Sequence, residues 1–213
     1  GKMPAGGMPG LGGGGMQLPP GLSGFGKKKK PMTPAPTLTT ARLELRGPQK
    51  RDLAAFTAWV TRSERMEAVG GKGTERDAWR GFIAGIGHWQ WHGYGFFTVT
   101  ERVTGVATGR VGIINHIEWP QPELAWHMFD GFEGKSYAFE AACAVREWAG
   151  RTLGLEPLVS LIAPDNHRSV RLASRLGAME ERRDVVDGEK VIIFRHLAHD
   201  DKRAMRQAAG AIA

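Results

Sequence analysis

Leu43 and Leu45 alternate with Arg42, Glu44 and Arg46, and this period of two predicts a strand over residues 38–46. The period then lengthens. Leu53, Phe56 and Val60 recur at helical spacing and predict a helix over 49–60. Trp79, Phe82, Ile83 and Ile86 predict a second helix over 75–87, with those side chains in the core. Trp89, Trp91, His92 and Tyr94 crowd between that helix and a strand over 96–101, where they are expected to fill core. Another strand is expected over 105–114. Trp119-Pro-Gln-Pro122 then breaks the ladder into a loop, because proline has no amide hydrogen to donate.

Residues 123–129 allow a strand, and Asp130, Gly131 and Gly134 supply turn chemistry directly after it. Ala138, Ala141, Ala142, Val145, Trp148 and Thr152 then share one face of a helix reaching about residue 153. A short buried strand at 158–162 closes with Ala163-Pro-Asp-Asn166. The next helix, 166–177, turns Val170, Ala173 and Leu176 inward, carries Arg168, Arg171 and Arg175 on the opposite face, and stops at Gly177. Asp187-Gly188 links strands at 181–186 and 191–196 as a hairpin. The order is strand, helices, three strands, helix, strand, helix, two strands. It predicts an α/β fold, a mixed sheet with helices on its faces.

The strand, glycine turn and helix around Gly134 form an anion site in outline. Amides in the first turn of a helix lack intrahelical acceptors, and the macrodipole places partial positive charge there. Gly134 lets a phosphate approach the backbone, Lys135 adds a cation, and Ser136 is small. Gly134-Lys135-Ser136 ends like a P-loop, but Phe129 stands where that motif requires its first glycine. Gly131-Phe-Glu-Gly134-Lys-Ser136 instead resembles the acyl-CoA loop Q/R-x-x-G-x-G/A of the GNAT acetyltransferase superfamily, with Gly131 at the Arg/Gln place and Ser136 at the second Gly/Ala place. The run Glu-Gly-Lys-Ser-Tyr-Ala-Phe-Glu-Ala-Ala resembles G-K-G-Y-A-T-E-A-A of the branch that includes ribosomal-protein N-terminal acetyltransferases. Thr-Leu-Thr-Thr-Ala-Arg-Leu-Glu-Leu-Arg is similar to that branch's opening T-E-R-L-x-L-R, and the glycines of 105–114 resemble its T-G-x-x-x-G-x-x-G-I. Asn166, Ser169 and Gly177 match the spacing of an N-x-x-S segment that contacts pantetheine, although Asn166 is in its own right a good helix cap.

The resemblance, over about residues 37–197, implies a GNAT-type acyl-CoA acyltransferase fold: a mixed, mostly antiparallel sheet splayed between its two middle strands. It implies acetyl transfer from acetyl-CoA directly to a primary amine, a protein N-terminus or a small molecule, with no metal. It places acetyl-CoA against Met128, Phe129, Phe132, Glu133, Gly134, Lys135, Ser136, Tyr137 and Ala138, and against Asn166, Ser169 and Arg171. The attacking amine must shed a proton. Strand parity puts Glu123 and His127 on one face, so both can point toward the acceptor, with Glu123 favoured as base. The alternative leaves Glu123 bonding the preceding loop and His127 packing beside the sheet. His116 and Glu118 are further candidates, and Tyr137 either protonates the leaving thiolate or packs behind the turn. A non-catalytic acyl-CoA binder and a nucleotide- or RNA-binding protein remain open.

Composition changes this picture little. The chain has 213 residues, 41% of them apolar, enough for one domain and a tail. Lys2 and Lys27 to Lys30 supply most of the net charge of +7, so the basic excess belongs to the tail rather than to the domain's substrate. Residues 1–31 read as a disordered Gly/Met/Pro-rich tail, 32–198 as the catalytic domain and 199–213 as a fraying end. The tail resembles the Met/Gly-rich carboxyl tail of bacterial signal recognition particle protein, and is expected to be a solvated linker rather than an RNA-binding arm. Cys143 is the single cysteine and has no internal disulfide partner. No apolar run reaches the ~18 residues of a membrane span. A cytoplasmic monomer or homodimer is expected.

Overall fold

The computed structural model describes residues 35–117, 119, 121–155 and 157–199. Its strands are β1 (Leu38–Thr39), β2 (Leu43–Arg46), β3 (Phe96–Glu101), β4 (Ala107–Ile114), β5 (Glu123–Met128), β6 (Val159–Ile162), β7 (Met179–Val186) and β8 (Glu189–Arg195). Its α-helices are α1 (Leu53–Arg62), α2 (Glu75–His92), α3 (Tyr137–Trp148) and α4 (His167–Arg175). The strands form one sheet in the order β1-β2-β3-β4-β5-β6-β8-β7. Every neighbouring pair is antiparallel except β5 with β6. The mixed, mostly antiparallel α/β architecture is the one expected.

Alternation along each strand divides the core between the two faces of this sheet. Leu43, Leu45, Phe97, Val99, Val111, Ile113 and Leu124 meet Ala141, Ala142 and Val145 of α3. The two alanines let α3 lie close to the strands. On the other face α1 and α2 contribute Phe56, Trp59, Val60, Ala78 and Phe82, which pack with Phe129. Each such large side chain stabilises the fold by roughly 1.5–3 kcal/mol on burial. Among the described residues no helix is long and apolar enough to cross a membrane.

Several boundaries differ from those read in the sequence. The strand expected over 38–46 bends at Ala41 and Arg42 and becomes β1 and β2, which pair with each other. The helix expected over 49–60 opens with a 3-10 turn, Lys50–Asp52, before α1. α2 does not stop at Gly87. A Thr74–Asp77 capping box starts it, and it runs to Gly93, whose φ of 75° ends it. Trp89, Trp91 and His92 are therefore helical rather than between elements. Trp89 is buried and donates from Nε1 to the Phe96 carbonyl at 2.8 Å, whereas Trp91 is 86% exposed. Trp79 and Ile83, expected in the core, are 54% and 45% exposed, because α1 and the sheet cover only the side of α2 that carries Ala78 and Phe82. α3 passes into a π turn, Ala149–Leu153, that leaves Thr152 exposed. The readings of the tail before residue 35, of Glu118 and of the segment beyond residue 199 lie outside the described residues.

The face toward α1 and α2 also buries polar groups. Arg46 and Asp52 are buried and joined by two bonds of 2.8 Å, and Asp52 also accepts from Thr98 Oγ1 at 3.0 Å and from the Gln49 amide at 2.8 Å. Burial pushes the Asp52 carboxyl up, but Arg46, the Gln49 amide and Thr98 outweigh it and leave the group below its ordinary range. The start of α1 is thereby fastened to β2 and β3. Asp52→Ala should strand the Arg46 charge and cost about 3–5 kcal/mol in urea denaturation; a loss within ~0.5 kcal/mol would show that the pair does not hold the helix.

Candidate active site

The sheet opens where β5 and β6, the parallel pair among the described strands, begin to run together. β5 and β6 share one pair, Glu123 opposite Val159, and the Val159 amide donates to the Pro122 carbonyl at 3.3 Å. A continued parallel ladder would next join the Leu161 amide to the Leu124 carbonyl. Side chains take both ends instead. Ser160 Oγ donates to the Leu124 carbonyl at 2.6 Å, and the Leu161 amide donates to Glu123 Oε1 at 3.1 Å. Farther along β5 the Phe129 amide donates to Thr108 on the β4 side, so alternation turns the main-chain groups of Trp126 and Met128 toward the opened seam.

The turn after β5 feeds that seam. Gly131, Gly134 and Ser136 have φ of 85°, 73° and 60°, and such left-handed steps aim successive amides to one side. The Glu140 amide is the first to bond within α3, to the Ser136 carbonyl at 3.1 Å. Among the described residues no protein acceptor meets the amides of Gly134, Lys135, Ser136, Tyr137 or Ala138. Ser136 is more than a small residue, since Arg175 Nη1 donates to its Oγ at 2.9 Å while stacking 4.2 Å over Phe139. Lys135 Nζ lies 4.9 Å over the Phe132 ring and 3.7 Å from Glu101. The turn is pinned from the far side: Asp130 accepts from Ser63 Oγ at 2.7 Å, and Arg65 reaches Glu133 at 2.6 Å.

The remaining expected site residues fall at three places. Met128 and Ala138 are half-buried at the two ends of the turn, Phe129 is in the α1/α2 core and Phe132 packs against it. Asn166 caps α4 by accepting from the Ser169 amide at 3.2 Å, and Ser169 Oγ accepts from Trp126 Nε1 at 3.2 Å, which ties α4 to β5. Arg171 is exposed. The Tyr137 hydroxyl donates to Glu101 at 2.7 Å, which raises its pKa and commits its proton there. Arg65, Arg110, Ser160 and Arg175 were not singled out for these contacts. Only Arg175 left a sequence signal, its helical spacing with Arg168 and Arg171.

Glu123 and His127 share a face as parity predicts, but their surroundings set them apart. Burial pushes Glu123 up to about 8, against a partial opposing pull from the Leu161 amide. Burial, and then the neighbouring Arg110 charge, push His127 well below its ordinary range. Arg110 Nε donates to His127 Nδ1 at 2.9 Å, so that nitrogen is an acceptor and the imidazole is neutral. His116 stacks edge-on to Trp119 at 4.5 Å and is also lowered, chiefly by burial. A carboxyl that titrates near 8 beside the seam can take a proton from an amine near neutral pH; the two histidines are poorer acceptors.

Residues 42–179 match the family described as acetyltransferase (GNAT) domain. An acetyltransferase from Agrobacterium tumefaciens has 32% identity and a TM-score of 0.69, covering 80% of this chain and 99% of its own. A ribosomal-protein-alanine acetyltransferase from Vibrio fischeri has 15% identity and a TM-score of 0.62, with 78% and 98% covered. RimJ from Mycobacterium smegmatis, in complex with CoA-disulfide, has 16% identity and a TM-score of 0.62, with 84% and 93% covered.

The folded chain holds the Glu123 proton up to about pH 8, against an ordinary value of 4.5. Its contribution to stability is therefore full below the lower value and is lost as pH rises to the upper one. Glu123→Gln keeps an acceptor for Leu161 and cannot ionise. It should gain on the wild type by a few kcal/mol when denaturation is compared at about pH 5 and about pH 9. A difference that stays constant with pH would mean the seam holds no such proton.

Proposed function

The chain belongs to the GNAT acetyltransferase family and is an acetyl-CoA-dependent acyltransferase, and we propose that its acceptor is a primary amine, acetylated directly without an acyl-enzyme. One observation carries the site assignment: a row of amides that meet no protein acceptor among the described residues, from Gly134 to Ala138, stands beyond the end of the strand that loses its parallel partner. A diphosphate suits those amides, with Lys135 and Arg175 beside them. Asn166 and Ser169, at the start of α4, flank the pantetheine arm, and Met128 flanks it from the end of β5, whereas Phe129 is held in the α1/α2 core. Arg171 is solvent-exposed on the same helix and suits the outer phosphates.

Acetyl-CoA supplies an acetyl group activated as a thioester, and the chain orients the partners and manages charge and protons. The main-chain amides that Trp126 and Met128 turn into the seam are the donors for negative charge that develops on the carbonyl oxygen. Glu123 takes the amine proton, directly or through water. The Glu123 value of about 8 suits this task, since the group is part ionised at neutral pH and increasingly so above it. His127 does not serve as base; it holds its place beside Arg110. Tyr137 braces the turn through Glu101. The acceptor range includes a protein N-terminal amine and small-molecule amines.

Thiol release with acetyl-CoA and an amine panel separates a transferase from a mere acyl-CoA binder. Gly134→Val places a β-branched residue at φ of 73° and a side chain where phosphate would approach. It should weaken acetyl-CoA binding at least ~10-fold by calorimetry, with circular dichroism unchanged, and unaltered affinity would remove the phosphate turn. Glu123→Gln should lower kcat about 10²-fold while acetyl-CoA affinity stays within ~2-fold. Full turnover at neutral pH would remove Glu123 as base.

A further inference from the structure

Arg110 occupies a setting that the transfer chemistry above does not use. It lies on β4 opposite His127, on the face toward α1 and α2. Its guanidinium is caged by rings, with Cζ 4.3 Å from the centre of Phe96, 4.6 Å from Phe56 and 5.4 Å from Trp59. Nε is spent on His127, and among the described residues no carboxylate pairs with the charge. Asp52 lines the same pocket, but its two oxygens are taken by Arg46, Thr98 and the Gln49 amide. Burial alone pushes Arg110 down to about 9. Aromatic faces return only about 0.5–2 kcal/mol each to a buried cation, less than it costs to leave one without a counter-charge.

Among the described residues the two terminal nitrogens of Arg110 meet no acceptor, and they are not among the fully buried unpaired atoms, so they reach open space. That space is a pocket lined by Phe56, Phe82, Phe96, Phe129 and Thr98, with Gly81 and Gly85 of α2 on its wall. The glycines are a second, separate sign. Each sits inside a helix, where glycine costs about 1 kcal/mol relative to alanine. Neither is required by packing. A Cβ on Gly85 would meet nothing within 4 Å, and one on Gly81 would meet Phe56 at an ordinary 3.8 Å. Bare backbone there keeps the wall of the pocket low.

We propose that Arg110 is a binding residue for a carboxylate of the acceptor, so that this enzyme prefers amines that also carry a carboxylate, held by the two free guanidinium nitrogens in the apolar pocket between α1, α2 and the sheet. The planar fork suits two parallel bonds to the carboxylate oxygens. Phe56, Phe96 and Trp59 fix the plane of that fork and exclude water from it. Arg110 lies one strand over from β5, so a carboxylate bound there leaves the amine end of the same molecule to reach the seam.

This inference rests on the acetyl-transfer reading, and the two can fail separately. Thiol release is measured with matched acceptors: free amino acids against amino-acid amides, and C-terminally amidated alanyl-aspartyl against alanyl-asparaginyl peptides. Wild-type kcat/KM should favour the carboxylate member of one series at least ~30-fold, and the series that responds tells an α-carboxylate from an acidic side chain. Arg110→Gln should reduce that preference to within ~3-fold, mainly through KM, with acetyl-CoA affinity unchanged. If Arg110→Gln does not fold, N-acetyl amino acids compared with their amides as inhibitors of the wild type give the same reading. Equal turnover of both members, equal inhibition by both, or a preference that survives Arg110→Gln would overturn the proposal. Failure of every amine to release thiol would instead overturn the transfer reading itself.

Discussion

An exchange of two hydrogen bonds at the junction of β5 and β6 sets up everything else. A sheet cannot simply stop pairing in its middle, because each abandoned main-chain group in a buried place costs about 1–3 kcal/mol. Here Ser160 takes the Leu124 carbonyl and Glu123 takes the Leu161 amide, so the ladder ends with its last groups satisfied. Ser160 is itself held. His196 is 1% exposed, lies 2.9 Å from Ser160 Oγ through Nε2, and is pushed down to about 3, first by burial and then by Arg146 and Arg195. The serine proton is committed to the Leu124 carbonyl, so the neutral imidazole donates from Nε2. Among the described residues its Nδ1 is buried without a partner, as is Nε of Arg146. The opening in the sheet therefore rests on a buried polar chain from β5 through β6 to His196, just past the end of β8.

The two sides of the opening are then built by different means. The α3 side is packed by small residues, and its helix start meets no protein acceptor among the described residues. The α1/α2 side carries charge into the interior, where Arg46 has its carboxylate and Arg110, among the described residues, has none. Ser63 and Arg65, on the segment after α1, grip Asp130 and Glu133 of the turn, so the helix layer on one face positions the loop that starts the helix on the other. A change in the packing of α1 should thus be felt at the turn without any contact to its amides.

What could be read from the chain follows from how local each feature is. The turn at Gly134 and the helix through Ala141, Ala142 and Val145 were legible, because glycine at positive φ and helical periodicity are properties of a few adjacent residues. The shared face of Glu123 and His127 was legible from parity. Their opposed environments were not, since the Leu161 amide and Arg110 reach them across strands, and register is not written in either segment alone. Trp89 and Trp91 were misplaced for a different reason. An aromatic cluster carries no period of its own, and the helix end that would have placed it is a single left-handed glycine, Gly93, among several glycines. Trp79 and Ile83 satisfied helical spacing yet lie outside the arc that α1 and the sheet can cover.

The acid–base logic of the opened face follows from the same asymmetry. Burial works against charge on both Glu123 and His127, and Arg110 adds to that effect on His127, so near neutral pH this face sets two largely uncharged titratable groups beside the Arg110 cation, which has no carboxylate partner among the described residues. An ammonium ion is poorly received in such a place. An amine that enters must give up its proton on the way in, and the seam offers a group whose affinity for that proton is close to the pH at which it must act. A fully solvated carboxylate in the position of Glu123 would be ionised but too weak a base, and a histidine free of Arg110 would draw its own charge into the cage. The buried glutamic acid escapes both faults because the bond from Leu161 supports its ionised form while the apolar walls oppose it.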